Sequence, residues 1–451
     1  MGCAASRERT DDLSEKRALL AAYARVVPCD TTSQLRELRT MMSETNLDAY
    51  IVPSGDAHAS EYTAKCDARL AFISGFTGSS GTAVVLADSA HLFTDGRYHI
   101  QAAAQLDRNW TLQKVGMLGV ADWPEWLTGL PGELRVGVDA SLVGYNDAQK
   151  LRASFVRRSV ELVPSNNNLV DRVWGDKRPE PSRAPVHVHE LKYAGVPAEE
   201  KLAALRKWLP HGSLYVLSAL DEVAWLLNLR GSSVPCTRAY LLTAVFPAYL
   251  VVGASEAMLF IDDELVVDVK QYLSAIGVET KSYGCVYAWL DHRADSLPDD
   301  AHIFFHPRAS WALVGEAGDY ATLLGADSPV ALAKSVKNSA ELQGLRNAHL
   351  RDGTAWARWA AWLEKEVCRG ATIDEAGAAA RLAEERAAEP LYAGMQAYDA
   401  ISAAGPNAAL PHYETPASGS LVIGRNSPFL MDAGPQYFDA TIDITRTVRK
   451  C

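Results

Sequence analysis

Several signals that would assign this chain a class directly are missing from it. Its seven cysteines, at 3, 29, 66, 236, 285, 368 and 451, form no CxxC pair. That spacing offers no zinc-thiolate site, and an odd, dispersed set reads as reduced intracellular thiols. No apolar stretch follows the first residues, which argues against a secretory signal. A single run, Tyr240 to Ile261, is long enough to raise the question of a membrane span, but Pro247, Gly253, Ser255 and Glu256 interrupt it. It reads better as two buried strands joined by a Gly253-Ala254-Ser255-Glu256 turn. Positive charge is in deficit, with 44 Lys and Arg against 55 Asp and Glu, so nucleic acid is not the expected partner. The glycine-rich stretch Gly75–Thr82 lacks a Gly-Lys-Ser/Thr ending, which excludes a phosphate loop.

What is present is 451 residues, 48 % of them hydrophobic, enough for several packed domains. Met1-Gly2-Cys3-Ala4-Ala5-Ser6 fits an N-myristoylation pattern with Gly2 as acceptor, and Cys3 beside it is a natural palmitoylation site. Two acyl chains anchor stably where one does not. Residues 1–30 are read as a disordered, lipidated tail.

From Thr31 the pattern becomes regular. Leu35, Leu38, Met41 and Met42 recur at helical spacing, and strands are expected at Leu47–Val52, Ala83–Leu86 and His91–Thr94. A second unit repeats the plan: Leu202–Arg206 echoes Leu35–Arg39, Leu214–Val216 echoes the first strand, and Leu259–Asp262 echoes Leu92–Asp95. Gly231-Ser232-Ser233 echoes Gly78-Ser79-Ser80. Helices alternating with strands, twice over, predict two related α/β domains, 31–168 and 190–328, joined by a linker over 169–189. After Ala331 the texture shifts. Asn338-x-x-Glu341 forms a capping box, and Leu342, Leu345, Trp356, Trp359, Leu363 and Val367 keep a buried stripe until Gly370. A second helix starts near Thr372-x-x-Glu375, and strands follow from Gln396. That order predicts an α+β third domain over 329–451.

The segment Phe429–Thr447 reads as a hairpin with strands near 429–433 and 441–448. Alternation puts Asp432 on one strand face and Asp443 on a face of the next, with Ile442, Ile444 and Val448 toward the core. Two carboxylates flanked by apolar residues are costly to bury without a cation. A metal, or an arginine such as Arg446, would satisfy them; two ordinary turn aspartates are the plain alternative.

Asp432 and Asp443, followed by Thr445-Arg446-Thr447, resemble the metal-binding hairpin of the pita-bread metallopeptidases. Further stretches resemble the cytosolic type of aminopeptidase P (Xaa-Pro aminopeptidase). They include Pro53–His58 with Glu61-Tyr62, Phe76–Thr82, Thr94–Tyr98, Ala219–Gly231, Lys334–Asn338 with His349, and Gly405–Tyr413. The resemblance runs from Thr31 to Val448 and implies two creatinase-N-like α/β domains followed by the first half of a pita-bread catalytic domain, an α/β plus α+β architecture. It implies a dinuclear Mn²⁺ site, with Asp432 binding one ion and Asp443 bridging both, and hard oxygen ligands suit that metal. It further implies substrate-binding roles for His412 and Arg97, which by themselves would read as surface residues. The implied substrates are peptides with proline at the second position, the implied compartment is cytoplasmic, and homodimers are common among such proteins. His349 is read as a packed histidine.

The family pattern also calls for a His and two Glu after the hairpin, and a further assisting His. Ile444 to Cys451 contains no His, Asp or Glu. The expectation is therefore a truncated, inactive aminopeptidase with no catalytic residue assigned, or a non-catalytic relative that binds peptides or dimerises.

Overall fold

The computed structural model describes residues 27–60, 62–232, 245–325 and 328–449. Gly2, Cys3, Glu61, Ser233 and positions 240–244 of the apolar run lie outside them.

The first sheet is built by β1 (Ala49–Pro53), β2 (Thr82–Leu86), β3 (Ala90–Thr94), β4 (Thr111–Lys114), β5 (Leu134–Asp139) and β6 (Val160–Ser165), in the order β4-β3-β2-β1-β5-β6. The expected strands lie within a residue or two of these limits, because short β-branched runs bounded by turns leave little freedom of assignment. On one side the helix Thr32–Glu44 buries Leu35, Leu38 and Met42. The helix Leu169–Trp174 adds Leu169 and Val170 to the same core. The first packed unit thus continues past the expected boundary at 168, since these side chains have apolar partners there.

A small ladder pairs β7 (His187–Val188) with β9 (Leu229–Arg230). The second sheet contains β8 (Leu214–Leu217), β10 (Tyr249–Val252), β11 (Ala257–Phe260), β12 (Glu279–Lys281), β13 (Ile303–Phe305) and β14 (Ala321–Leu323), ordered β12-β11-β10-β8-β13-β14. Strand for strand this repeats the first sheet. The central strand pairs antiparallel with the next and parallel with the fifth, and the outer pairs are parallel in both. The repeat read from the sequence is a repeat of topology. β10 and β11 are the two buried strands expected within the apolar run, joined at residues 253–256.

His58 ties the two sheets together. Its Nδ1 lies 2.8 Å from the Ser218 carbonyl and its Nε2 lies 2.7 Å from the Tyr283 hydroxyl. A carbonyl only accepts, so Nδ1 carries the proton and Nε2 accepts from the tyrosine. Burial holds the imidazole below its ordinary value of 6.5, and the nearby Asp56 opposes that shift only in part. The unfolded chain takes up this proton as pH falls through 6.5 while the folded chain resists it, so stability is lost on acidification below that point. The urea midpoint is expected to fall between pH 7 and pH 5.5, and His58→Gln to flatten the fall. Parallel pH curves for the two proteins would remove His58 from the account.

The third domain starts with the helix Ser339–Arg369, capped by Asn338 and Glu341 reciprocally and ended by Gly370 at φ 83°. Trp359, Leu363 and Val367 are buried as expected, but Leu342 is 40 % exposed. The first half of the helix packs instead through Gly344, Ala348, Asp352 and Ala355. His349 is exposed rather than packed, with Nδ1 toward the Leu345 carbonyl. The helix Glu375–Ala387 packs beside it, capped by Asp374 rather than by a Thr372 box. Two strands, β15 (Tyr392–Gln396) and β18 (Pro435–Tyr437), pair with each other, and β16 (Ile401–Ala404), β17 (Pro428–Asp432) and β19 (Thr445–Arg449) form a three-stranded sheet. Ala404, Phe429 and Met431 from that sheet close the core over Trp359 and Leu363.

Cys29, Cys66 and Cys285 are free thiols, as expected, whereas Cys368 is disulfide-bonded.

Candidate functional site

β17 and β19 are antiparallel, with Asp432 opposite Thr445. The expected second strand is shorter than predicted. It begins at Thr445, and residues 442–444 continue alongside through bonds from Ala433 N to Ile444 O (3.1 Å) and from Ile442 N to Pro435 O (3.1 Å). The break has a cause: β18 leaves the hairpin to pair with β15, which opens the turn. Asp443 thereby sits diagonally across from Asp432 on one face, where long side chains meet. Ile442 faces the core at 0 % exposure.

The two carboxylates converge. Asp432 Oδ1 and Asp443 Oδ1 each lie 2.7 Å from the hydroxyl of Tyr398. Burial, and then the two carboxylates, hold that phenol far above its ordinary value. A hydroxyl has one proton, so it donates to one carboxylate and leaves the other facing an oxygen. Arg446 does not fill the gap, because it is exposed and donates to the Thr445 carbonyl at 2.8 Å. Asp432 is half-buried and Asp443 is exposed, so the burial expected of the pair is only partial; two carboxylate oxygens directed at one point are still the donor type of a hard divalent cation. The donor type fits. Among the described residues no group of three or more His, Cys, Asp or Glu could complete its shell.

A buried cation stands behind this hairpin. Arg386, 0 % exposed, donates to both oxygens of Asp352 (2.7 and 3.1 Å), to the Ala433 carbonyl (3.0 Å) and to Gln396 Oε1 (3.2 Å). Ala433 follows Asp432 directly, so this guanidinium fixes the strand end that carries the first carboxylate.

His412 is placed by a second buried carboxylate. Glu375 accepts from Ala404 N (2.7 Å), Asn407 Nδ2 (2.9 Å), the Tyr413 hydroxyl (2.8 Å) and Leu421 N (3.1 Å). Those four bonds shape the loop between β16 and β17 and set His412 beside the first domain. There its ring stacks on Tyr98, centroids 5.1 Å apart and planes 12° from parallel. Arg97 approaches the same tyrosine, its guanidinium 5.2 Å from the ring centroid. Arg97 also clamps Asp95 from two nitrogens, at 2.9 and 2.8 Å, which pulls the Asp95 carboxyl down to about 2. The structure therefore brings Arg97 and His412 together on Tyr98, and Asp432 and Asp443 together on Tyr398. A cleft of about 770 Å³ lies between the first and third domains. Phe76, Ser79 and Tyr98 line one wall, and Asp399, His412 and Glu414 line the other.

Tyr98, Tyr398 and Arg386 were not singled out from the sequence as site residues. Nothing local marks the last two. Tyr98 sits inside the Thr94–Tyr98 motif, where Arg97 draws the attention.

Two sheets of one topology thus lead into a domain that presents paired carboxylates on a hairpin, the arrangement to set beside known proteins. Residues 34–173 and 177–341 each match the Creatinase/Prolidase N-terminal domain, and residues 343–450 match metallopeptidase family M24. Among similar proteins are probable Xaa-Pro aminopeptidases P of Talaromyces marneffei (44 % identical over 93 % of this chain and 64 % of that one) and Penicillium rubens (43 %, 93 % and 68 %). The chain belongs to the Xaa-Pro aminopeptidase P family within these metallopeptidases. It spans about two thirds of the length of those relatives. A solved X-prolyl aminopeptidase from Caenorhabditis elegans, a cytosolic enzyme with a di-nuclear active site, superposes with a TM-score of 0.85 at 34 % identity, covering 93 % of this chain and 69 % of that one. No helix among the described residues is long and apolar enough to cross a membrane.

Proposed function

We propose that this chain contributes to manganese-dependent release of an N-terminal residue that precedes proline, by holding the peptide and supplying two of the metal ligands. The observation that carries the reading is the convergence of Asp432 and Asp443 on one point in the domain that faces the cleft. Asp432 and Asp443 would hold the metal, which when bound polarises a carbonyl and lowers the pKa of its water. His412 and Arg97 would bind the peptide from opposite domains. Tyr98 keeps the imidazole against the cleft wall, and the Asp95 clamp keeps the Arg97 charge at a fixed place for a peptide carbonyl or carboxylate.

Two carboxylates are too few for two ions, so residues 1–451 as one polypeptide are expected to bind Mn²⁺ weakly and to release no residue from Arg-Pro-Pro. Asp443→Asn and Asp432→Asn are each expected to abolish that binding in calorimetry. Turnover by the purified 451-residue protein would overturn the inactivity, and binding that survives both substitutions would overturn the metal site. Peptide binding without turnover is the outcome that favours a non-catalytic, peptide-binding or dimerising role.

We further propose a cytoplasmic protein held at membranes by acylation of Gly2 and Cys3. Gly2→Ala should then move the protein from the membrane fraction to the soluble one, and equal partition of the two forms would end the idea.

A further inference from the structure

The glycine-rich turn before β2 has no role in the site as described so far, and its contacts give it one. Tyr98 is 1 % exposed, its hydroxyl lies 2.6 Å from Ser79 Oγ, and the edge of its ring meets Phe76 at 5.7 Å and 86°. Gly78 is what allows this packing. A Cβ there would stand 2.2 Å from Phe76 Cζ and 2.8 Å from Tyr98 Cδ1. The turn thus grips the tyrosine on one edge and at its hydroxyl, and leaves one face for His412. That histidine lies outside helix and strand, in a loop whose backbone Glu375 braces. A parallel aromatic surface at stacking distance restricts the tilt of its ring.

We infer that Gly78, Ser79 and Tyr98 form a positioning unit through which the first domain sets the plane of the His412 imidazole in the third. Tyr98 acts through His412 and is a positioning residue. The inference rests on the reading of His412 as a peptide contact, and its test has one arm independent of that reading.

The first arm is NMR of the His412 ring protons in the 451-residue protein, assigned with His412→Asn. A stacked phenol shifts them upfield. Tyr98→Leu should abolish the shift, and Tyr98→Phe and Ser79→Ala, which break the same hydrogen bond and leave the ring in place, should each reduce it by a similar amount. Resonances that stay put in Tyr98→Leu, or in Ser79→Ala should the leucine variant not fold, overturn the proposal. The second arm is the affinity for Arg-Pro-Pro. Tyr98→Leu should weaken it by about threefold to tenfold, the range expected of one aromatic pair, with Tyr98→Phe, which keeps the ring and loses the Ser79 bond, falling between the parent and Tyr98→Leu. In a His412→Ala background the Tyr98→Leu change should do nothing more. A further loss there means that Tyr98 touches the peptide itself, and the positioning role is then wrong. Failure of the unsubstituted protein to bind Arg-Pro-Pro counts against the peptide reading alone, and the ring-proton shifts still decide the inference.

Discussion

Arg386→Ala is expected to unfold the third domain while leaving the first two sheets folded. The guanidinium and Asp352 are both about 1 % exposed, and the remaining donors reach Ala433 and Gln396. Deleting the cation leaves a buried carboxylate without a counter-charge, a loss of about 3–5 kcal/mol. It also frees the backbone carbonyl next to Asp432. Amide exchange should accelerate through the helices 339–369 and 375–387 and through β16, β17 and β19, with no change in β1–β6. The pair Arg386→Met with Asp352→Leu should restore much of the stability, because two apolar side chains of similar volume need no partner. Unchanged protection of β17 in Arg386→Ala would show that the ion pair is incidental to the domain.

Gly434→Ala should remove metal binding as completely as the loss of either carboxylate. An added Cβ would stand 1.9 Å from the Ile442 carbonyl oxygen and 2.7 Å from Tyr398 Cε1. The first neighbour is backbone and cannot step aside, so the segment carrying Asp443 must move. The second is the ring whose hydroxyl both carboxylates share. Overpacking of this kind costs about 1–3 kcal/mol, and here the displacement falls on the site itself. Gly96→Ala, where a Cβ meets nothing within 4 Å, is the matched control and should bind Mn²⁺ as the parent does. Equal Mn²⁺ affinity in Gly434→Ala and the parent would mean that the two aspartates do not form the site.

Most of the architecture was legible because apolar periodicity records burial directly. Strands β1, β2, β3, β10 and β11 follow from short runs between turns, and the duplicated plan follows from echoes between them. Asp432 and Asp443 were legible as a pair because strand alternation fixes which face each takes. Tyr398 was not, since its place between them depends on β18 crossing to β15, a tertiary event with no local signature. Arg386 was hidden for another reason: a charged residue on a helix is by default assigned to solvent. Leu342 misled in the opposite sense. The helix approaches the loop after β18 so closely there that a Cβ at Gly344 would stand 2.4 Å from the Asp439 carbonyl oxygen. Small residues hold the contact and the leucine is left outside.

The two sheets share one strand order, so the turn after the third strand can be compared between them. In the first it reads Asp95-Gly96-Arg97-Tyr98, and in the second Asp262-Asp263-Glu264-Leu265. Where the first copy carries an arginine beside Tyr98, the second carries an acid, and Glu264 is bonded at 2.7 Å to Arg183 of the connecting segment. Leu265 is buried and its carbonyl accepts from Val186 N at 2.8 Å. One topological corner thus sets an arginine on Tyr98 in one copy and moors the interdomain chain in the other. Transplanting the first corner onto the second would set an arginine against Arg183 and cost only an exposed ion pair, while the main-chain bond from Val186 would still hold the linker.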